Sequence, residues 1–152
     1  MPGVAVQARI AALSAISDSS AFAAQPLMTA TSTAASIRRA IRTGEYEWPL
    51  QLLAQSLADL RRVAEDPGDR RLYLAPPGGT GSREWNALIA GAVARECRRL
   101  GIEPPAWTNI QPLPQGWSPL ALPGLRRYLV EHTPEELARL GVWLDAGSLD
   151  AA

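Results

Sequence analysis

The side chains able to do acid–base or nucleophilic chemistry are few in this chain of 152 residues. There is one histidine, His132, and one cysteine, Cys97. Close acidic pairs occur at Glu45/Glu47, Asp66/Asp69 and Glu135/Glu136. A catalytic histidine needs a nucleophile or a metal as partner. His132 lies between Glu131 and Thr133, just ahead of an expected helix N-cap, and reads as a surface or hinge residue. Cys97 shares helical spacing with Val93 and Leu100 and reads as a small buried hydrophobe. One histidine without further thiols or clustered carboxylates does not build a zinc site. The expectation is therefore a binding protein without catalytic set, metal or cofactor. A small enzyme using His132 and nearby carboxylates is the outlying alternative.

Two further patterns could meet phosphate. Pro77-Gly78-Gly79-Thr80-Gly81-Ser82 leads into a helix, and helix-start N–H groups hold anions. A phosphate loop needs a lysine after its last glycine, and all 15 basic residues here are arginine. An interhelix loop is the expectation. Arg38, Arg39 and Arg42 would share the outer face of an early helix, with Arg61 and Arg62 on the next. That is the alternative nucleic-acid-binding set, and operator DNA the alternative partner. A helix-turn-helix would place basic or neutral residues at its turn. Glu45, Glu47 and Trp48 follow Gly44 instead, so a solvated arginine face is the simpler reading. Fifteen basic and fifteen acidic residues give zero formal charge, which argues against a purely electrostatic nucleic-acid binder.

The elements that must position these residues are helical. Residues 1–33 form an Ala/Ser/Thr-rich extension carrying only Arg9 and Asp18 as charges, expected to be disordered. A secretory leader is disfavoured because its apolar run is short, and Met28 is a candidate translation start. Residues 34–152 are expected to form a single all-α domain. Spacing predicts a helix over Ala34–Arg42 that stops at Gly44. A second begins near Trp48, with Pro49 in its first turn and a stripe of Leu50, Leu53, Leu57, Leu60 and Ala64. Asp66-Pro67-Gly68-Asp69 reads as its stop, followed by a short piece of about one helical turn at residues 71–74. Ser82 should cap the longest helix, Arg83–Leu100, which ends at Gly101. Residues 123–131 resume helical spacing. Thr133-Pro134-Glu135-Glu136 reads as a capping box with proline at the first helical position, and Asp145 as the cap of a last turn around Leu149. No apolar run has the length of a membrane span, and a lone cysteine suits a reducing, cytoplasmic setting.

Residues 102–122 are the unusual part, a long Pro/Trp-rich connector holding Pro104, Pro105, Pro112, Pro114 and Pro119 with Trp107 and Trp117. Connectors this long pack or bind something. Of the five tryptophans, periodicity places Trp85 in the core. Trp107, Trp117 and Trp143 fall outside regular helices and are the candidate partner-binding residues, since tryptophan joins large apolar area to a polar handle.

A set of stretches carries a family resemblance: Trp85-Asn86-Ala87-Leu88-Ile89-Ala90-Gly91, Gly101 through Thr108, Trp117, Thr133-Pro134, then Gly141-Val142-Trp143-Leu144-Asp145 and Leu149. Together they resemble the C-terminal module of small actinobacterial helix-turn-helix proteins that serve as the antitoxin side of toxin–antitoxin modules. The resemblance covers about half the chain, from Trp85 onward. It implies a protein that binds and neutralises a nucleotidyltransferase-like toxin. It assigns no catalytic residue. The upstream helix-turn-helix of such proteins has no counterpart in residues 1–84.

Overall fold

The computed structural model of the chain describes residues 26–45, 48–120 and 123–150. Within them the protein is all-α, with helices α1 (Ala30–Arg42), α2 (Trp48–Val63), α3 (Pro67–Tyr73), α4 (Arg83–Arg99), α5 (Arg126–His132), α6 (Glu135–Ala138) and α7 (Ala146–Asp150). A single 3-10 turn, Ala106–Thr108, interrupts the connector. The expected disorder of residues 1–25 lies outside the described residues.

α1 begins at Ala30, four residues ahead of the expected start and inside the segment assigned to the extension. The reason is a reciprocal cap. Thr29 Oγ1 accepts from the Ser32 N–H at 3.1 Å, and Ser32 Oγ accepts from the Thr29 N–H at 2.9 Å. Ahead of it, the Met28 N–H donates to the Asp59 carboxylate of α2 at 2.8 Å, and Leu27 packs on the core. The folded part therefore takes in residues 27–33, which the sequence reading gave to the arm.

α2 and α4 are the central pair. α1, α3 and α7 pack on α2, and α6 and the 3-10 turn pack on α4. Leu53, Leu57 and Leu60 of α2 meet Leu88, Ala92 and Val93 of α4 in one buried cluster that extends from Ala30 to Leu149. Cys97 is in that cluster, as expected. Burial, and then the Glu96 carboxylate, push its thiol up to about 11. α4 runs as expected from Ser82, whose hydroxyl accepts from the Trp85 N–H, to the left-handed Gly101.

Two readings of local signals are corrected. Asp66-Pro67-Gly68-Asp69 does not only end α2. Asp66 Oδ1 accepts from the Gly68 and Asp69 N–H groups, so the same residues start α3. Thr133-Pro134-Glu135-Glu136 is not a capping box. Pro134 holds the N-cap position without a side-chain bond, and α6 is four residues long. The Thr133 hydroxyl instead donates to the Leu129 carbonyl and accepts from the Leu144 N–H at 3.0 Å, tying α5 to the segment ahead of α7.

Polar groups inside the core are paired. Thr33, Ser56 and Tyr73 form a buried hydroxyl chain across α1, α2 and α3, with oxygens 2.8 and 2.6 Å apart. Burial drives the Tyr73 hydroxyl well above the ordinary phenol value. Glu96, 1% exposed, meets Arg61 at 2.9 Å and Arg99 at 3.7 Å. Arg99 and Arg95 then grip Asp150 at 2.9 and 3.0 Å, fastening α7 to α4. Among the described residues no helix is long and apolar enough to cross a membrane.

Candidate partner-binding surface

The connector is pinned rather than loose. Gly101, at φ 72°, turns the chain so that the Ile102 N–H donates to the Cys97 carbonyl at 2.8 Å. Pro105 is extended, and Thr108 Oγ1 donates back to its carbonyl at 2.7 Å to close the 3-10 turn. That turn delivers Trp107, half-buried, whose Nε1 donates to the Leu74 carbonyl at the end of α3 at 2.9 Å. Trp107 thus anchors the connector and lines a small cavity of about 160 Å³ with Gly79, Asn86 and Ile110.

Beyond it the connector runs beside the α6–α7 link. The Leu113 N–H donates to the Leu140 carbonyl at 2.9 Å, and the Trp117 N–H to the Gly141 carbonyl at 2.8 Å. The Trp143 N–H donates to the Trp117 carbonyl at 2.8 Å. The product is a parallel bridge between Trp117 and Val142. A left-handed Gly141, at φ 81°, makes the link possible three residues beyond the end of α6. Gly116 lets the Trp143 ring lie against the connector. A Cβ there would stand 2.6 Å from Trp143 Nε1.

Of the three candidate tryptophans, the structure brings Trp117 and Trp143 together and leaves Trp107 elsewhere. Trp117 packs edge-on against the buried Trp85, with ring centroids 5.5 Å apart at 69°. Trp117 and Trp143, with Leu120, Pro123, Arg126 and Leu129, line a groove of about 410 Å³. One wall belongs to the bridge and the other to α5. Trp143 is held at both ends: the bridge precedes it, and the Leu144–Thr133 bond follows it.

α5, the second wall of the groove, also carries exposed apolar surface. Leu129 is its buried residue, while Tyr128 and Val130 are 47% and 48% exposed. His132 is spoken for locally. Its ring stacks on Tyr128 at 4.1 Å, and Nδ1 lies 2.8 Å from the Tyr128 carbonyl. The sequence reading missed this pair; its signal was the four-residue spacing of two rings on a helix. It also passed over Trp48, which is 52% exposed at the start of α2, and Leu72 on α3.

The arginine set divides. Arg38, Arg39 and Arg42 are all exposed on α1. Arg38 reaches the glycine-rich loop, where Nε and Nη2 donate to the Gly79 carbonyl at 3.0 and 2.6 Å. The loop is further fixed by Thr80, whose N–H and hydroxyl both donate to Asn86 Oδ1. Arg39 and Arg42 remain as outward guanidiniums near the end of the helix, where cations complement its dipole.

A wide cleft, about 760 Å³, opens between the C-terminal end of α4 and the connector, with Arg98 and Arg139 on its edge. Arg98 is paired with Glu136 at 3.2 Å. Among the described residues no three His, Cys, Asp or Glu side chains gather in a way that could hold a metal ion. A comparison with known protein families, with curated proteins and with solved structures finds no match.

Proposed function

We propose that this chain acts by binding another protein, and that it is the antitoxin-like partner of a nucleotidyltransferase-type toxin. The observation that carries the binding part is the Trp117–Trp143 groove, whose second wall is α5, a helix that also exposes Tyr128 and Val130. Concave, aromatic-rich patches whose walls are already in place are where binding energy concentrates, because little ordering entropy opposes contact. The nature of the partner rests on the sequence resemblance, whose stretches include the bridge residues Gly141 to Asp145 and both groove tryptophans. In this reading Trp117 and Trp143 contact the partner, and Trp107 supports the connector that presents them.

Co-expression with the product of the adjacent gene tests the proposal. A complex that co-purifies on one tag, with relief of the partner's toxicity, is the expected result. Persistent toxicity without a complex refutes it. The DNA-binding alternative has a weaker footing, since Arg38 is committed to Gly79 and only Arg39 and Arg42 stay without a side-chain bond among the described residues.

A further inference from the structure

We infer that the groove between Trp117 and Trp143 receives an extended, proline-bearing segment of the partner protein, an acidic residue of which meets Arg126. The inference rests on the protein-binding reading and gives that partner a peptide chemistry.

The shape is the first argument. At about 410 Å³ the groove suits a short stretch of chain rather than the flat face of a folded domain. Its indole walls are fixed beforehand by the Trp117 and Trp143 backbone bonds. Proline-rich segments dock in aromatic-lined grooves because they arrive already extended and lose little entropy.

Hydrogen-bonding capacity is the second. The side chains of Trp117 and Arg126 donate and do not accept, while Trp143 Nε1 is turned against Gly116. The hydroxyl of Ser118, also in the groove, is closed on Leu120, accepting from its N–H at 3.1 Å and donating to its carbonyl at 3.3 Å. These side-chain donors suit a ligand that brings acceptors. A prolyl residue brings a carbonyl and no N–H, so it leaves no donor stranded against the indoles.

Charge is the third. Arg126 stands exposed on the groove, and no carboxylate pairs with it among the described residues. Arg127 beside it faces Glu131 at 3.8 Å. An acidic ligand residue therefore finds its counter-ion at Arg126. A nucleic-acid strand fits less well, since phosphate tracks are lined by net positive charge. Here Glu131 lies on α5 with Arg126 and Arg127, and Glu135 and Asp145 follow on α6 and the α6–α7 link.

The test is anisotropy of labelled peptides with the full chain. The probes are Glu-Pro-Pro-Leu-Pro-Pro-Glu, the same peptide with Lys at both ends, the same with Ser for every Pro, and oligothymidylate. The acid-flanked peptide is expected to saturate below about 1 mM, with the Lys-flanked and Ser versions at least about tenfold weaker. Arg126→Glu, an exposed change that leaves the fold intact, is expected to reverse the order of the Glu- and Lys-flanked probes. Equal affinity for those two probes, no saturation by about 1 mM, or binding of oligothymidylate alone overturns the inference. The same variant enters the co-purification. A partner complex that survives Arg126→Glu, with no peptide binding, sinks the groove inference and leaves the protein-binding reading standing. Peptide binding without any partner complex does the reverse.

Discussion

Replacing Gly91 by alanine sets helix propensity against packing, and the structure says which wins. Gly91 lies in the middle of α4, where propensity alone favours alanine by about 1 kcal/mol. A Cβ at this position would stand 2.5 Å from Leu137 Cδ2 and 3.0 Å from the Glu136 carbonyl oxygen of α6. Ordinary carbon contacts lie near 3.5–4.0 Å, so about an ångström must be found. Leu137 is fully buried, so its side chain can turn aside only against packed neighbours, and the Glu136 oxygen is main chain. α6 must therefore move outward. It leads into Leu140 and Gly141, whose carbonyls hold Leu113 and Trp117. Overpacking of this kind costs about 1–3 kcal/mol, and each weakened hydrogen bond about 1 more. After the propensity gain, the expected net loss is about 1–3 kcal/mol. For a domain of this size each kcal/mol lowers Tm by roughly 4 °C, so a fall of about 4–12 °C is expected. Thermal unfolding followed by far-UV circular dichroism reads it, with Gly68→Ala as the companion. Gly68 sits in the first turn of α3 with Asp66 Oδ1 at an ordinary 3.5 Å, so alanine there should hold or raise Tm. A Gly91→Ala chain that melts at or above the parent's temperature refutes the reasoning.

Three other outcomes are expected. Arg61→Met keeps an apolar stem but leaves buried Glu96 with Arg99 at 3.7 Å as its charge partner, and should lower urea stability by about 2–3 kcal/mol. Asp150 is held below its ordinary value of 3.8, first by its hydrogen bond to Arg95 and further by Arg99. A carboxylate depressed on folding stabilises above its unfolded pKa, and that stability is lost as pH falls through the folded value. The drop in urea midpoint between about pH 5 and pH 2.5 should thus be smaller in Asp150→Asn than in the parent; equal drops contradict it. The Cys97 thiol, buried and pushed up to about 11, should react with a thiol reagent only as fast as the chain opens. Rapid labelling of the native protein at neutral pH contradicts that placement.

The sequence was most readable where a local signal met no competitor. Ser82 and Gly101 bracket α4 because a hydroxyl cap and a left-handed glycine act within a few residues of themselves. The leucine stripe of α2 is likewise local, and it is buried as its spacing implies. Errors arose where one residue type carries two meanings. An Asp-Pro-Gly-Asp run ends one helix and caps the next with equal ease, and only the Asp66 bonds to Gly68 and Asp69 decide. Thr133 has the chemistry of a cap, but the Leu144 N–H, eleven residues on, takes its hydroxyl instead. The start of α1 was hidden because Ser32, rather than a glutamate, closes the reciprocal cap. The Arg38 partner, a carbonyl 41 residues away, leaves no periodic trace at all.

The tryptophans show why the groove was only partly legible. Spacing separated Trp85 from the three irregular ones, and the structure buries Trp85 as that reading required. It could not sort the others, because their roles depend on a long-range bridge between Trp117 and Val142. That bridge makes Trp117 do two jobs, packing against Trp85 and lining the groove. Trp143 is similarly bound to Gly116 and to the chain leading to α7. Truncating either ring removes fold contacts together with any partner contact, so lost binding in such variants would mix the two. Arg126 lies on the same groove, is exposed, and leaves the bridge untouched. A charge change there separates recognition from folding, which is why the rim arginine, rather than the tryptophans that first drew notice, discriminates between a binding surface and a merely well-packed connector.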